Sequence, residues 1–152
     1  MGLKLDIDTE ELNKVVQKMG GVSLRAKDIR TASEGIRLLL QEDVDLRFQN
    51  APSTNTGGEA YGGVEWRELS ESYLARRPER ANGQLLRDTG ELLQSMTVEG
   101  HPYKVFSSTE SETVFGTALI KARTLQRDRP FLFWHPILIE KVATYLANHL
   151  EQ

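Results

Sequence analysis

Cysteine is missing altogether from the 152 residues, which excludes disulfides, thiolate catalysis and cysteine-ligated zinc and fits a reducing compartment. Long apolar runs are missing too. The densest, Phe131 to Ile139, is broken by His135 and Pro136 and falls far short of the roughly 20 residues that cross a bilayer, so no membrane contact is expected. The stretch Met1 to Leu12 joins no basic segment to an apolar one and is not arginine-rich, so no signal or transit peptide is expected. An excess of positive charge is also lacking. The formal net charge of -3 argues against a dedicated duplex-DNA binder, while leaving room for a local basic face. What is present, 39% hydrophobic and 27% charged residues, is the balance of one soluble domain spanning 1–152 around a single core.

Helix signals come first along the chain. Asp8 with Glu11 forms a capping box, Ile7 and Leu12 form a staple, and Gly20-Gly21 ends the segment. From Leu24 to Gln49, Ile29, Ile36, Leu40, Val44 and Phe48 recur at helical spacing, which predicts a long amphipathic helix. Gly35 inside it costs about 1 kcal/mol against alanine and marks close packing against a neighbour. Asn50 to Glu65 is poor in large aliphatics and rich in Gly, Ser, Thr and Asn, and reads as a flexible loop, either an insertion or an element that orders on a partner. Ser70 caps a short helix that Pro78 ends. Thr97 to Ser107 and Glu112 to Thr117 read as antiparallel strands. A last helix starts at His135-Pro136 with Ile139, Val142, Leu146 and Leu150 on one face. The expected class is α+β: a long N-terminal amphipathic helix and short helices packed on a small antiparallel β-sheet, with a C-terminal helix.

Chemistry is sparse in this pattern. His101, His135 and His149 are scattered over a turn, a helix cap and a helix end, without metal-ligand spacing. Ser70 and Ser95 lie outside any nucleophile motif, and Gly57-Gly58 and Gly62-Gly63 lack the strand-to-helix setting of a phosphate cradle. The carboxylate groups Glu10-Glu11, Glu42-Asp43-Asp45 and Glu110-Glu112 read as solvated faces. Neither a catalytic residue nor a cofactor or metal site is expected. Two basic clusters remain, Arg76, Arg77, Arg80 and Arg87, and Lys121, Arg123, Arg127 and Arg129. They serve either ordinary surface pairing or contact with DNA phosphates or an acidic partner.

In Gly83 to Met96, Asp88 is placed to cap a new helix with Glu91 three residues on, and Leu85, Leu86, Leu92, Leu93 and Met96 bury around that joint. Read in order, Trp66-x-x-Leu69-Ser70, Leu85-Leu86-Arg87-Asp88-Thr89-Gly90-Glu91-Leu92-x-x-Ser95, the strands, and Arg129-Pro130-Phe131-Leu132 resemble the virion morphogenesis proteins of tailed phages and Mu-like prophages, a tail-completion and head-tail joining family. The match runs from Trp66 to Trp134, with Phe115 to Lys121 and Phe133 departing from the family pattern. The resemblance implies a non-enzymatic subunit that forms a homo-oligomeric ring at the head-tail junction, or neck, or the top of the tail. Such a subunit resides in the virion and, during assembly, in the bacterial host cytoplasm. It meets neighbouring connector and tail proteins, with non-specific DNA contact in the lumen. Tyr61, Trp66, Lys121, Arg123, Arg127, Arg129, Phe131 and Trp134 are then candidate interface residues, although Phe131 to Trp134 also suits a core. Arg76, Arg77, Arg80 and Arg87 are candidate DNA-facing residues. The alternatives are a DNA-binding accessory protein, a tail terminator and, last, a small hydrolase.

Overall fold

The computed structural model describes residues 3–6, 29–109 and 113–150. Helix α1, Ser33–Gln49, follows a 3-10 turn over Ile29–Ala32. Its apolar positions fall every fourth residue, so Ile36, Leu40, Val44 and Phe48 share one face, and all four are buried. Asn50 closes the helix, its side-chain amide and backbone N–H both donating to the Leu46 carbonyl at 2.9 and 3.1 Å. The helix expected from Asp8 to Gly20 and the start of the long one at residues 24–28 lie outside the described residues.

Three strands form one antiparallel sheet in the order β1 (Leu3–Asp6), β5 (Thr113–Thr117), β4 (Lys104–Ser108). Strand β5 is central, with Phe115 opposite Leu5 on one side and Phe106 on the other, and it is buried along its length. Strand β1 has no sequence counterpart above, because four residues are too few for a periodic signal. The strand expected from Thr97 begins only at Lys104: helix α3 (Glu91–Thr97) occupies its start, and turns at Gly100 and His101 precede the sheet. Helix α5, Pro136–Leu150, packs on α1 where Gly35 leaves room for the Tyr145 ring. Its buried stripe is Leu138, Val142 and Leu146 with Ala143, one residue round from the expected Ile139. Helix α1 thereby lies against α5, α3 and β5.

The expected flexible loop at 50–65 is corrected by the structure. Gly58–Ala60 (β2) and Val64–Trp66 (β3) pair as an antiparallel hairpin, with Gly62 and Gly63 at φ 102° and 90° supplying the turn. Its approach is held by hydrogen bonds that composition does not report. Thr54 sends Oγ1 to the Arg80 carbonyl at 2.6 Å and its N–H to Gly83, and accepts from the Leu69 N–H; Leu85 N–H reaches Pro52. Order here comes from a satisfied backbone together with the burial of Ala51, Ala60 and Trp66. Trp66 and Ala60 close over the core, where the Trp66 and Phe131 rings meet Phe48 edge-on at 6.2 and 6.3 Å.

Helix α2, Glu71–Arg76, starts as expected on Ser70, whose Oγ accepts the Tyr73 N–H at 3.2 Å. A 3-10 turn at Pro78–Arg80 follows. The capping role expected of Asp88 is a further correction. Gly90 is the N-cap of α3, at φ 83° and with no side-chain cap bond, while Asp88 turns to the Arg77 guanidinium at 3.1 and 3.4 Å. Helix α4, Ala122–Asp128, leads to the Phe131–Trp134 segment.

Candidate functional site

Two constellations stand out, one inside the fold and one on its surface. The inner one starts with Asp43 and Arg47, one turn apart on α1. Both are buried beside the apolar face, which corrects the exposed placement expected for Asp43. Arg47 donates Nη2 to Asp43 Oδ2 at 2.8 Å, Nε to the Tyr61 carbonyl at 2.7 Å and Nη1 to the Phe131 carbonyl at 2.7 Å. Its guanidinium lies 4.1 Å from the Phe133 ring centroid. The second oxygen of Asp43 meets His135 Nε2 at 2.5 Å. Burial pushes the Arg47 pKa below its ordinary value, and Asp43 opposes that shift. The cluster ties α1, the β2–β3 hairpin and the chain before α5 together. Ser95, also buried, lies apart from this clamp and bonds with the Leu92 carbonyl and Thr117 Oγ1, both at 2.7 Å. Among the described residues no three His, Asp or Glu side chains gather to hold a metal ion, and no helix is long and apolar enough to cross a membrane.

The outer constellation is a cleft of about 600 Å³ between α2, the Leu85–Leu92 joint and α4. Leu69, Leu85, Leu86, Leu92 and Leu125 supply apolar lining; Arg67, Arg80, Lys121 and Arg129 supply cations, with Asp88 and Glu91 as the carboxylates. Arg129 shapes one wall by donating Nε to the Arg67 carbonyl at 2.8 Å and Nη2 to the Glu68 carbonyl at 3.0 Å. Desolvation, then the neighbouring Arg67 charge, lowers the Arg129 pKa. Next to it Trp66 Nε1 donates to the Pro130 carbonyl at 2.7 Å. The sequence segments around Trp66-x-x-Leu69-Ser70, Leu85 to Ser95 and Arg129-Pro130-Phe131-Leu132 thus meet at one place.

The expected site residues divide accordingly. Trp66 and Phe131 are fully buried in the core, so their placement at an interface is corrected: both rings are spent on Phe48. Arg80 is buried as well, which corrects its DNA-facing placement. Tyr61 is half-buried over the Arg47 clamp and Trp134 packs partly against the core. Lys121 pairs with Glu91 at 3.4 Å and Arg127 with Asp128 at 3.1 Å. Arg77 is shared by Glu79 at 2.7 Å and Asp88, which raise its pKa, and Arg87 reaches Gln84 and the Phe48 carbonyl. Arg76 and Arg123 are exposed. Sequence reasoning missed the Asp43–Arg47–His135 cluster, although two opposite charges at i and i+4 flanking Val44 and Phe48 mark it. It also missed Gln126, whose Oε1 accepts the N–H groups of Phe131 and Leu132 at 2.9 and 3.0 Å. Comparison of the chain with family models, curated proteins and solved structures finds no match.

Proposed function

We propose that this chain is a non-catalytic structural subunit of a tailed-phage or prophage virion, acting at the head-tail junction or the top of the tail. One observation carries the reading: the three separated motifs that resemble the virion morphogenesis family are neighbours in space, joined by the Trp66–Pro130 and Arg129–Arg67 and Arg129–Glu68 hydrogen bonds around one surface cleft. The proposed partners are further copies of the chain in a closed ring and the adjoining connector and tail proteins, and the proposed location is the virion. The two arginine clusters give less support to a DNA-binding accessory role, because Arg77, Arg127 and Lys121 are paired with carboxylates and Arg80 is buried. Deleting the gene from the genome that carries it tests the proposal by electron microscopy of the lysate. Separate heads and tails are expected; intact virions in normal number would overturn it.

A further inference from the structure

The cleft carries more than its motifs. It is lined by four cations and two carboxylates around a leucine-rich interior, within a chain whose formal net charge is -3. The cations are also incompletely neutralised. Arg80 is 8% exposed, its Nε has no hydrogen-bond partner, its Nη1 reaches the Arg87 carbonyl only at 3.5 Å, and Asp88 Oδ1 stands 3.8 Å from Nε. Asp88 is at the same time held by Arg77. A buried cation that shares its counter-ion leaves positive potential in the cavity it lines. Arg67 adds a second: its side chain is 70% exposed and lies 3.9 Å from Asp128.

We infer that this cleft is a docking site for an acidic, aliphatic segment of a partner protein, its leucine-like side chains seated among Leu69, Leu86 and Leu125 and its carboxylates facing the exposed Arg67, with the buried Arg80 behind them adding positive potential. The chemistry selects the occupant. Nucleic acid would gain from the cations but would leave the leucines against a charged backbone, whereas a basic or neutral peptide would use the leucines and leave the cations without partners. Apolar lining with a few charged groups fixing orientation is the composition of a recognition cleft. The inference stands on the cleft alone and does not rest on the virion reading.

Selection of short random peptides against the full-length protein tests it, followed by affinity measurement on the variants R67E and L86D. Leu86 sits at φ 63°, a conformation that aspartate tolerates. Selected peptides are expected to combine Asp or Glu with Leu, Ile or Phe, and to bind R67E about tenfold more weakly, as expected when a rim attraction becomes a repulsion. L86D should also lose affinity, and R67E alone decides the matter if L86D fails to fold. The inference is overturned if nothing enriches, if the selected peptides carry no acidic bias, if R67E binds them equally well, or if a DNA duplex binds the cleft more tightly than they do. An acidic segment of this same chain that outcompetes the selected peptides would overturn the foreign partner.

Discussion

At the scale of single residues, the fold depends on a few side chains that join distant parts of the chain. Arg47 is the clearest. Its three hydrogen bonds reach one turn along its own helix, the hairpin at Tyr61, and Phe131. Replacing it with methionine leaves the buried Asp43 carboxylate with His135 but without its guanidinium partner, and R47M is expected to cost about 3–5 kcal/mol in urea unfolding. R47K should also destabilise, since an ammonium cannot span the three acceptors as a planar fork does; a neutral R47K would contradict the clamp. Trp66 holds the Pro130 carbonyl and fills the core beside Phe48. For W66F the loss of that hydrogen bond and of ring volume should cost about 2 kcal/mol, read as a midpoint shift of roughly 5 °C in a domain of this size. The clamp was partly legible in the sequence, as an i, i+4 charge pair bordering an apolar stripe. His135 was not, because the residue opposite a helix start is decided by tertiary packing.

At the scale of elements, periodicity succeeded where elements were long. The stripe of α1 and the capping Ser70 of α2 could be read directly, and Gly35 was rightly seen as a contact point: a Cβ there would fall within the Tyr145 ring. Alanine at position 35 improves helix propensity yet displaces that ring from its stacking on His149. The G35A change should therefore be more costly in the wild type than in a Y145A background by about 1–2 kcal/mol, a coupling that a double-mutant cycle measures. Additive effects would refute the contact. Other short elements escaped. The β2–β3 hairpin looked like loose chain because its order resides in backbone hydrogen bonds and glycine turns, while its aliphatic content is low. Asp88 satisfied a capping pattern but was claimed by Arg77, since an ion pair formed across the fold competes with a local cap. Deleting residues 58–66 removes Trp66, Ala60 and the Tyr61 acceptor of Arg47, so cooperative unfolding should be lost, as monitored by circular dichroism. A truncated chain that unfolds with unchanged midpoint would show that the hairpin is dispensable.

At the scale of the whole molecule, three motif segments far apart in sequence surround one cleft, and that convergence could not be read from order along the chain. Sequence identified the pieces; packing of Arg129 on the Arg67 and Glu68 carbonyls brought them together. The charge distribution changes meaning at this scale as well. Of the cations grouped as two basic patches in sequence, Arg77, Lys121 and Arg127 are engaged with Glu79, Asp88, Glu91 and Asp128. The isolated protein should accordingly bind duplex DNA only weakly at physiological ionic strength, and a tight, steeply salt-dependent complex in a mobility-shift assay would favour the accessory DNA-binding role instead. The central claim, that the chain is a structural component of a virion and works through contact, is tested most directly by locating it. Antibody-gold labelling of purified particles from the genome that encodes it should place the label at the head-tail junction or the upper end of the tail; particles that are fully formed and infectious yet contain none of the protein would contradict the account.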